Sequence, residues 1–261
     1  DGKYYSHDLM LEKALNFIDE NAQKPFFLYF SPTIPHADLD IMGEAMTEYE
    51  GEFCETPFGG SKDGYKSQQT PRAAYAAMVT YLDKSVGLII KELKEKGLYD
   101  HTIIVFTSDN GVHSEGGHDP SYFDSNGPFR GQKRDLYEGG IRIPMVAWCP
   151  GTIKAGAQSD HISAFWDVMP TLAELTGTVL PEQTDGISFL PTLLSKKNQQ
   201  AHDYLYWEFH ELNGREALRS GKWKLIRQPI VGETILELYD LSNDIHEDTN
   251  CLLYTSELPT T

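Results

Sequence analysis

The sequence predicts an α/β fold, in which a layered sheet covered by helices on both faces leads into a small antiparallel sheet. Three observations carry that reading. Stretches of helical periodicity alternate with short apolar runs. The runs Phe26–Phe30, Thr102–Thr107 and Met145–Trp148 are solidly apolar, the pattern of strands buried on both faces. Beyond about His202 the runs become short, aromatic and alternating, which suits antiparallel hairpins.

The elements follow in order. Ser6 or Asp8 caps a first helix reaching about Asn21, with Leu9, Leu11, Leu15 and Ile18 near helical spacing. Pro25 then precedes the Phe26–Phe30 strand. From Asp40 to Gln69 few positions are periodic. That stretch reads as a long excursion of the kind that carries specificity, or as a disordered insertion. A long helix is expected from about Arg72 to Lys96, opened by Pro71 and stopped by Gly97, its stripe of Met78, Leu82, Val86, Ile89 and Ile90 facing a core. The strand at Thr102–Thr107, a loop over Ser108–Gly140, a strand at Met145–Trp148 and a short helix over Asp167–Thr176, ended by Gly177, complete this part. The runs Tyr204–Phe209, Glu216–Arg219, Trp223–Arg227 and Leu236–Tyr239 make the small sheet, with Ser220-Gly221 as a hairpin turn. The division falls at 1–198 and 199–261.

Composition sets bounds. A chain of 261 residues, 40% hydrophobic, buries a substantial core. No apolar run approaches the ~20 residues of a membrane span, so none is expected. A net charge of −17 argues against a nucleic-acid or anionic-membrane binder, which would present a basic face. It also opposes an anionic substrate at long range, so local cations such as Arg130, Lys133 and Arg134, or a metal, have to do the attracting. Three cysteines with no close pair do not form a disulfide framework, and Cys149 reads as a buried thiol.

The most informative segment is Phe106-Thr-Ser-Asp-Asn-Gly111, followed by Asn126-Gly-Pro-Phe-Arg-Gly-Gln-Lys133 and Tyr137-Glu-Gly-Gly-Ile-Arg-Ile-Pro144. Asp109 and Asn110 stand at the end of an apolar strand, where open α/β sheets build their sites. Carboxylate and amide oxygens are hard donors that suit calcium or magnesium. By itself, Asp-Asn-Gly is also a turn signal. A second apolar run, Phe26-Phe-Leu-Tyr-Phe-Ser31, leads into Pro32-Thr-Ile-Pro-His36 and delivers polar residues to the same expected rim.

With these blocks in this order, the chain resembles the sulfatase family of the alkaline-phosphatase superfamily. The resemblance extends through Arg72-Ala-Ala-Tyr-Ala-Ala-Met78 and Leu238-Tyr-Asp-Leu-Ser-Asn-Asp244, to about Asn250. It implies an alkaline-phosphatase-like α/β/α sheet, present in part, over 1–198, with a C-terminal antiparallel subdomain over 199–261. It also implies a calcium-dependent sulfuric ester hydrolase, by family habit acting on a sulfated carbohydrate, periplasmic or secreted. Two family motifs are not in the sequence: an N-terminal Asp-Asp metal motif, and the Cys-x-Pro-x-Arg (or Ser-type) signature that yields formylglycine. Gln69 stands where Thr70-Pro-Arg-Ala-Ala74 would need that cysteine. The chain is therefore expected to be the C-terminal part of a sulfatase, inactive alone. The tail Cys251 to Thr261 departs from the family's Leu-Ala-containing helix.

By resemblance, Asp109 and Asn110 are metal ligands, Lys133 pairs with the sulfate, and His36 protonates the leaving oxygen. Ala37-Asp38, after that histidine, differs from the Ala/Thr-Pro often found there. His113, His118 and Asp119 suggest either a second metal or a polar pocket wall in contact with substrate. Arg130 contacts sulfate or braces its loop through backbone carbonyls, while Glu138 and Arg142 read as structural. Trp207, Glu208 and His210 either reach the sugar or pack. The alternatives are a phosphodiesterase or phosphonate hydrolase of the same superfamily, or an inactive sulfatase-like binding protein. The oligomeric state is not legible.

Overall fold

The computed structural model describes residues 4–62, 64–180 and 183–253, in two compact units. The first comprises residues 1–102 and 112–125, the second residues 103–111 and 126–261.

In the first unit, helix α1 (Ser6–Asn21) packs on the long helix α3 (Pro71–Glu95), and the single turn α2 (Gly43–Met46) lies against α3 as well. Helix α1 starts where expected, but Tyr5 occupies the N-cap position without a side-chain bond. Its buried face is His7, Leu11, Ala14 and Ile18, at helical spacing, and Leu9 is turned outward at 44% exposure. Pro71 opens α3, where its missing N–H costs nothing, and Gly97 at φ +69 follows its end. The core joins Ile34 and Leu39 to Ala74 and Met78, with Tyr81 and Leu82 packed around them. By length and composition alone, α3 could cross a membrane. Its Ala73–Ala74 and Ala77–Met78 face is instead buried in protein. Within the Asp40–Gln69 excursion, Phe58 and Gln68 form a bridge, the Phe58 N–H donating to the Gln68 carbonyl at 2.8 Å.

The Phe26–Phe30 strand is not found. The segment has no regular secondary structure, no strand among the described residues pairs with it, and Phe27 and Tyr29 are 65% and 73% exposed. An apolar run becomes a strand only when neighbours satisfy its backbone.

In the second unit, β1 (Ile104–Thr107) pairs antiparallel with β2 (Met145–Trp148), Phe106 opposite Val146. Both were expected to be covered on two faces, yet Val105, Phe106, Val146 and Trp148 are all exposed. A two-stranded ribbon has too few neighbours to bury both faces. One-turn helix α4 (Glu138–Ile141) precedes β2. Helices α5 (Val168–Thr176) and α6 (Leu190–Leu193) follow it, and Gly177 at φ +66 ends α5 as the sequence indicates. Strands β3 (Leu205–Phe209), β4 (Arg215–Ser220), β5 (Trp223–Gln228) and β6 (Ile235–Asp240) form the antiparallel meander. Its first expected turn shifts by one residue: Ser220 pairs with Trp223, so Gly221-Lys222 makes the bend. One face of the meander buries Ala217, Ile226 and Tyr239 against Leu136 and Tyr137. Trp207 packs there too, whereas His210 is solvent-exposed, its side chain 87% accessible. Cys149 is a buried thiol at 3% exposure. The tail past Leu253 lies outside the described residues.

Candidate functional site

The candidate residues fall in both units, and each group is described within its own.

The second unit holds Asp109, Asn110, Arg130 and Lys133. Strand β1 ends at Thr107 and delivers an exposed Asp109 and a half-buried Asn110. The Asn110 side chain donates from Nδ2 to the Gly111 carbonyl at 2.8 Å, which turns its Oδ1 the other way. An exposed carboxylate beside an oriented amide oxygen fits a hard cation such as calcium, though as only part of its shell of ~6–8 oxygens. Among the described residues no cluster of three or more His, Cys, Asp or Glu could hold a metal ion. This disfavours the second-metal reading of His113, His118 and Asp119.

Main-chain contact fixes where Asp109 and Asn110 stand. The Gly111 N–H donates to the Gly140 carbonyl at 2.9 Å. A Cβ on Gly111 would lie 1.8 Å from the Gly139 carbonyl oxygen, so only glycine fits. In turn the Gly139 N–H donates to the Arg130 carbonyl at 2.7 Å, and a Cβ on Gly140 would meet the Asp135 carbonyl oxygen at 2.1 Å. The Asp109–Gly111 loop thus rests, through Gly139 and Gly140, on the loop carrying Lys133. The turn beneath that lysine is tied by Gln132 N–H to Asp135 Oδ2 at 3.0 Å, and Arg215 Nη1 holds Asp135 Oδ1 at 2.5 Å.

Arg130 donates from Nη1 to the Glu247 carbonyl at 2.7 Å and to the Tyr239 hydroxyl at 3.3 Å, and its guanidinium lies over the Tyr137 ring. That geometry is bracing. Beside it lies a cluster that sequence reasoning missed. Lys224, fully buried, sits 3.0 Å from Glu138 Oε1 and 2.9 Å from Glu247 Oε1. Glu138 Oε2 also takes Arg219 at 3.2 Å. Burial pushes the Glu247 carboxyl above its ordinary value, with Lys224 pulling against it. Glu138, read as structural, holds this junction.

The first unit holds His36, His113, His118 and Asp119. The His36 ring donates from Nδ1 to the Ala37 carbonyl at 2.6 Å, and the Ala37–Asp38 peptide is cis. The proton this histidine could give up is therefore the one on Nε2. His113 stacks on it, ring centroids 5.3 Å apart. The partners of His113 fix its tautomer: Nε2 donates to the Pro35 carbonyl at 3.0 Å, and Nδ1 accepts the Glu115 amide at 3.1 Å. His118 is buried at 4% exposure and stacks on Tyr75 at 3.7 Å, with neither ring nitrogen hydrogen-bonded. Burial, reinforced by His113, lowers it to about 4. Asp119 accepts from the Ser121 hydroxyl at 2.6 Å and from Arg72 at 3.4 Å; the Ser121 bond is the first cause of its lowered pKa. The structure thus brings the three histidines together, whereas Asp119 closes a local turn.

Comparison with known proteins agrees with the blocks read in the sequence. The Sulfatase family profile matches residues 1–178, and the profile described as N-sulphoglucosamine sulphohydrolase, C-terminal, matches residues 128–258. The N-acetylgalactosamine-6-sulfatase of Canis lupus familiaris is 34% identical over 188 residues, covering 70% of this chain and 32% of the relative. Human steryl-sulfatase is 34% identical over 198 residues, covering 74% and 30%. A solved structure described as Ps i-CgsB in complex with k-i-k-neocarrahexaose superposes with a TM-score of 0.78 at 29% identity, over 97% of this chain and 52% of that one. The chain thus spans about a third of the length of these curated relatives. With a profile match over most of its length and a shared alkaline-phosphatase-like α/β fold, the chain belongs to the sulfatase family.

Proposed function

We propose that the whole protein is a calcium-dependent sulfuric ester hydrolase acting on a sulfated carbohydrate, and that this chain carries part of its metal shell and its leaving-group chemistry. The main-chain clamp of Gly111 on Gly139 and Gly140 carries the reading, because it registers two hard oxygen donors against the loop of Lys133. Asp109 and Asn110 would hold the cation. Calcium, when bound, offsets negative charge on the sulfate oxygens. Lys133 supplies a point charge to the same oxygens. His36 gives the proton on Nε2 to the departing oxygen, its Nδ1 being held by the Ala37 carbonyl. His113 and His118 form an apolar-backed wall. The family's formylglycine nucleophile has no counterpart among these 261 residues, so the attack on sulfur is left outside this account.

The carbohydrate rests on a relative named N-acetylgalactosamine-6-sulfatase and on a neighbour solved in complex with k-i-k-neocarrahexaose. Export to the periplasm or medium fits such a substrate. The test is hydrolysis by the whole protein of sulfated oligosaccharides, of nitrophenyl sulfate, and of matched phosphonate and phosphodiester substrates, with calcium and with a chelator. Calcium-dependent sulfate release that prefers the oligosaccharides is expected. Faster cleavage of the phosphorus esters would move the protein to the phosphohydrolase side of the superfamily, and no turnover at all would leave a binding protein.

A further inference from the structure

The turn after the ligand loop brings a carboxylate to His36 that no sequence motif marked. Glu115 Oε2 lies 3.8 Å from His36 Nε2, and its side chain is only 12% exposed against 42% for the histidine. We propose that Glu115 is a positioning residue for His36, aiming Nε2 and its proton at the leaving oxygen; this rests on the proton-donor reading of His36 given above.

Four features of the first unit support the assignment. The His36 ring is pinned at its other nitrogen, so a partner near Nε2 completes control over its rotation. The gap of 3.8 Å exceeds hydrogen-bond length, so Glu115 orients the ring without capturing the proton. Glu115 Oε2 is also 3.4 Å from His113 Nδ1, but that nitrogen already accepts the Glu115 amide, which leaves it no proton to share with the carboxylate. Finally, the turn is held close. Gly116, at φ +66, has room for no Cβ, which would fall 2.7 Å from the Ala37 Cβ, and a Cβ on Gly117 would fall 2.6 Å from the Phe58 Cβ. In the reaction the Nε2–H bond breaks and an O–H bond forms on the leaving group. The electron pair stays on Nε2, and Glu115 remains a carboxylate throughout.

The test is a double-mutant cycle in the whole protein with Glu115→Gln and His36→Ala, run on an alkyl sulfate and on nitrophenyl sulfate. Glu115→Gln should lower kcat roughly 10-fold on the alkyl ester with KM unchanged, a typical coupling between neighbouring groups. The loss should be small on the nitrophenyl ester and vanish in the His36→Ala background, and Glu115→Asp should restore part of it. Equal losses on both esters, or a full additional loss without His36, would overturn the proposal. A second arm needs no turnover. In nitrogen NMR of the histidine rings, Glu115→Gln should shift the His36 signals and leave those of His101 and His210 in place. Unmoved His36 signals would also overturn it. If the wild type cleaves neither ester, the sulfatase reading fails by itself, and the NMR arm still decides whether Glu115 governs His36.

Discussion

Lys224 and Glu138 face each other at 3.0 Å with both side chains withdrawn from solvent, and the pair ties the centre of the C-terminal sheet to the helix turn just beyond the Lys133 loop. Glu247 closes the triad from the other side, its Oε2 accepting the Glu138 N–H at 2.7 Å. Replacing Lys224 with Met would leave Glu247 buried without its cation and Glu138 with Arg219 and Arg142 only. The expected loss is ~3–5 kcal/mol, read as a lower urea midpoint at unchanged slope. A change below ~1 kcal/mol would mean that water or a rearranged Arg219 takes over the charge.

The His118 ring gives the first unit an acid sensitivity whose sign follows from its burial. Its folded value of about 4 lies below the ordinary 6.5, so the unfolded chain binds the proton first. Stability is full above about 6.5 and declines as pH falls towards about 4, by ~1.4 kcal/mol for each pH unit and on the order of 3 kcal/mol in all. His118→Phe keeps a ring on Tyr75 and should flatten that slope. Urea midpoints measured from pH 7 downward would show it, and parallel curves for the two proteins would rule it out.

In the whole protein, Asp109→Ala should weaken calcium binding by ~100-fold or more, because on the proposed reading it deletes a charged oxygen from the cation's shell. Calorimetric titration with calcium, alongside activity at each calcium level, checks this. An unaltered calcium response would take Asp109 out of the shell.

His36→Ala should depress kcat by about 10²–10⁴-fold on esters of poorly acidic alcohols and far less on nitrophenyl sulfate, whose leaving group needs little protonation. Equal losses on the two classes would leave His36 with a positioning role and remove the proton transfer from it.

Much of this was legible in advance, for identifiable reasons. Pro71 and Gly97 announced the limits of the long helix because each acts through its own backbone restrictions. The alternation from Leu205 onward gave the meander. The run Phe26–Phe30 misled, since apolar content reports a wish for burial and says nothing about whether a partner strand stands alongside. Lys224 was invisible for a related reason. In the run Trp223-Lys-Leu-Ile-Arg227 the hydrophobic pattern would turn Trp223 and Leu225 inward, yet Lys224 and Ile226 are the buried pair, because two distant glutamates make the lysine acceptable there. Glu115 escaped notice too. Ser114-Glu115-Gly116-Gly117 reads as an ordinary turn, and its contact with His36 spans 79 positions of sequence.

The glycine clamp has a consequence for anyone wishing to retune this chemistry. Because Gly111, Gly139 and Gly140 meet as bare main chain, the Asp109–Gly111 loop and the lysine loop share a single datum, as two gauges zeroed against one reference block. No side-chain exchange at those three positions can adjust one without dislodging the other. Gly127, by contrast, has nothing within 4 Å of where a Cβ would stand, and its φ of +51 is one that asparagine tolerates. Variation introduced there could alter the outer loop while the datum, and with it the spacing of Asp109 and Asn110 from the Lys133 loop, stays as it was.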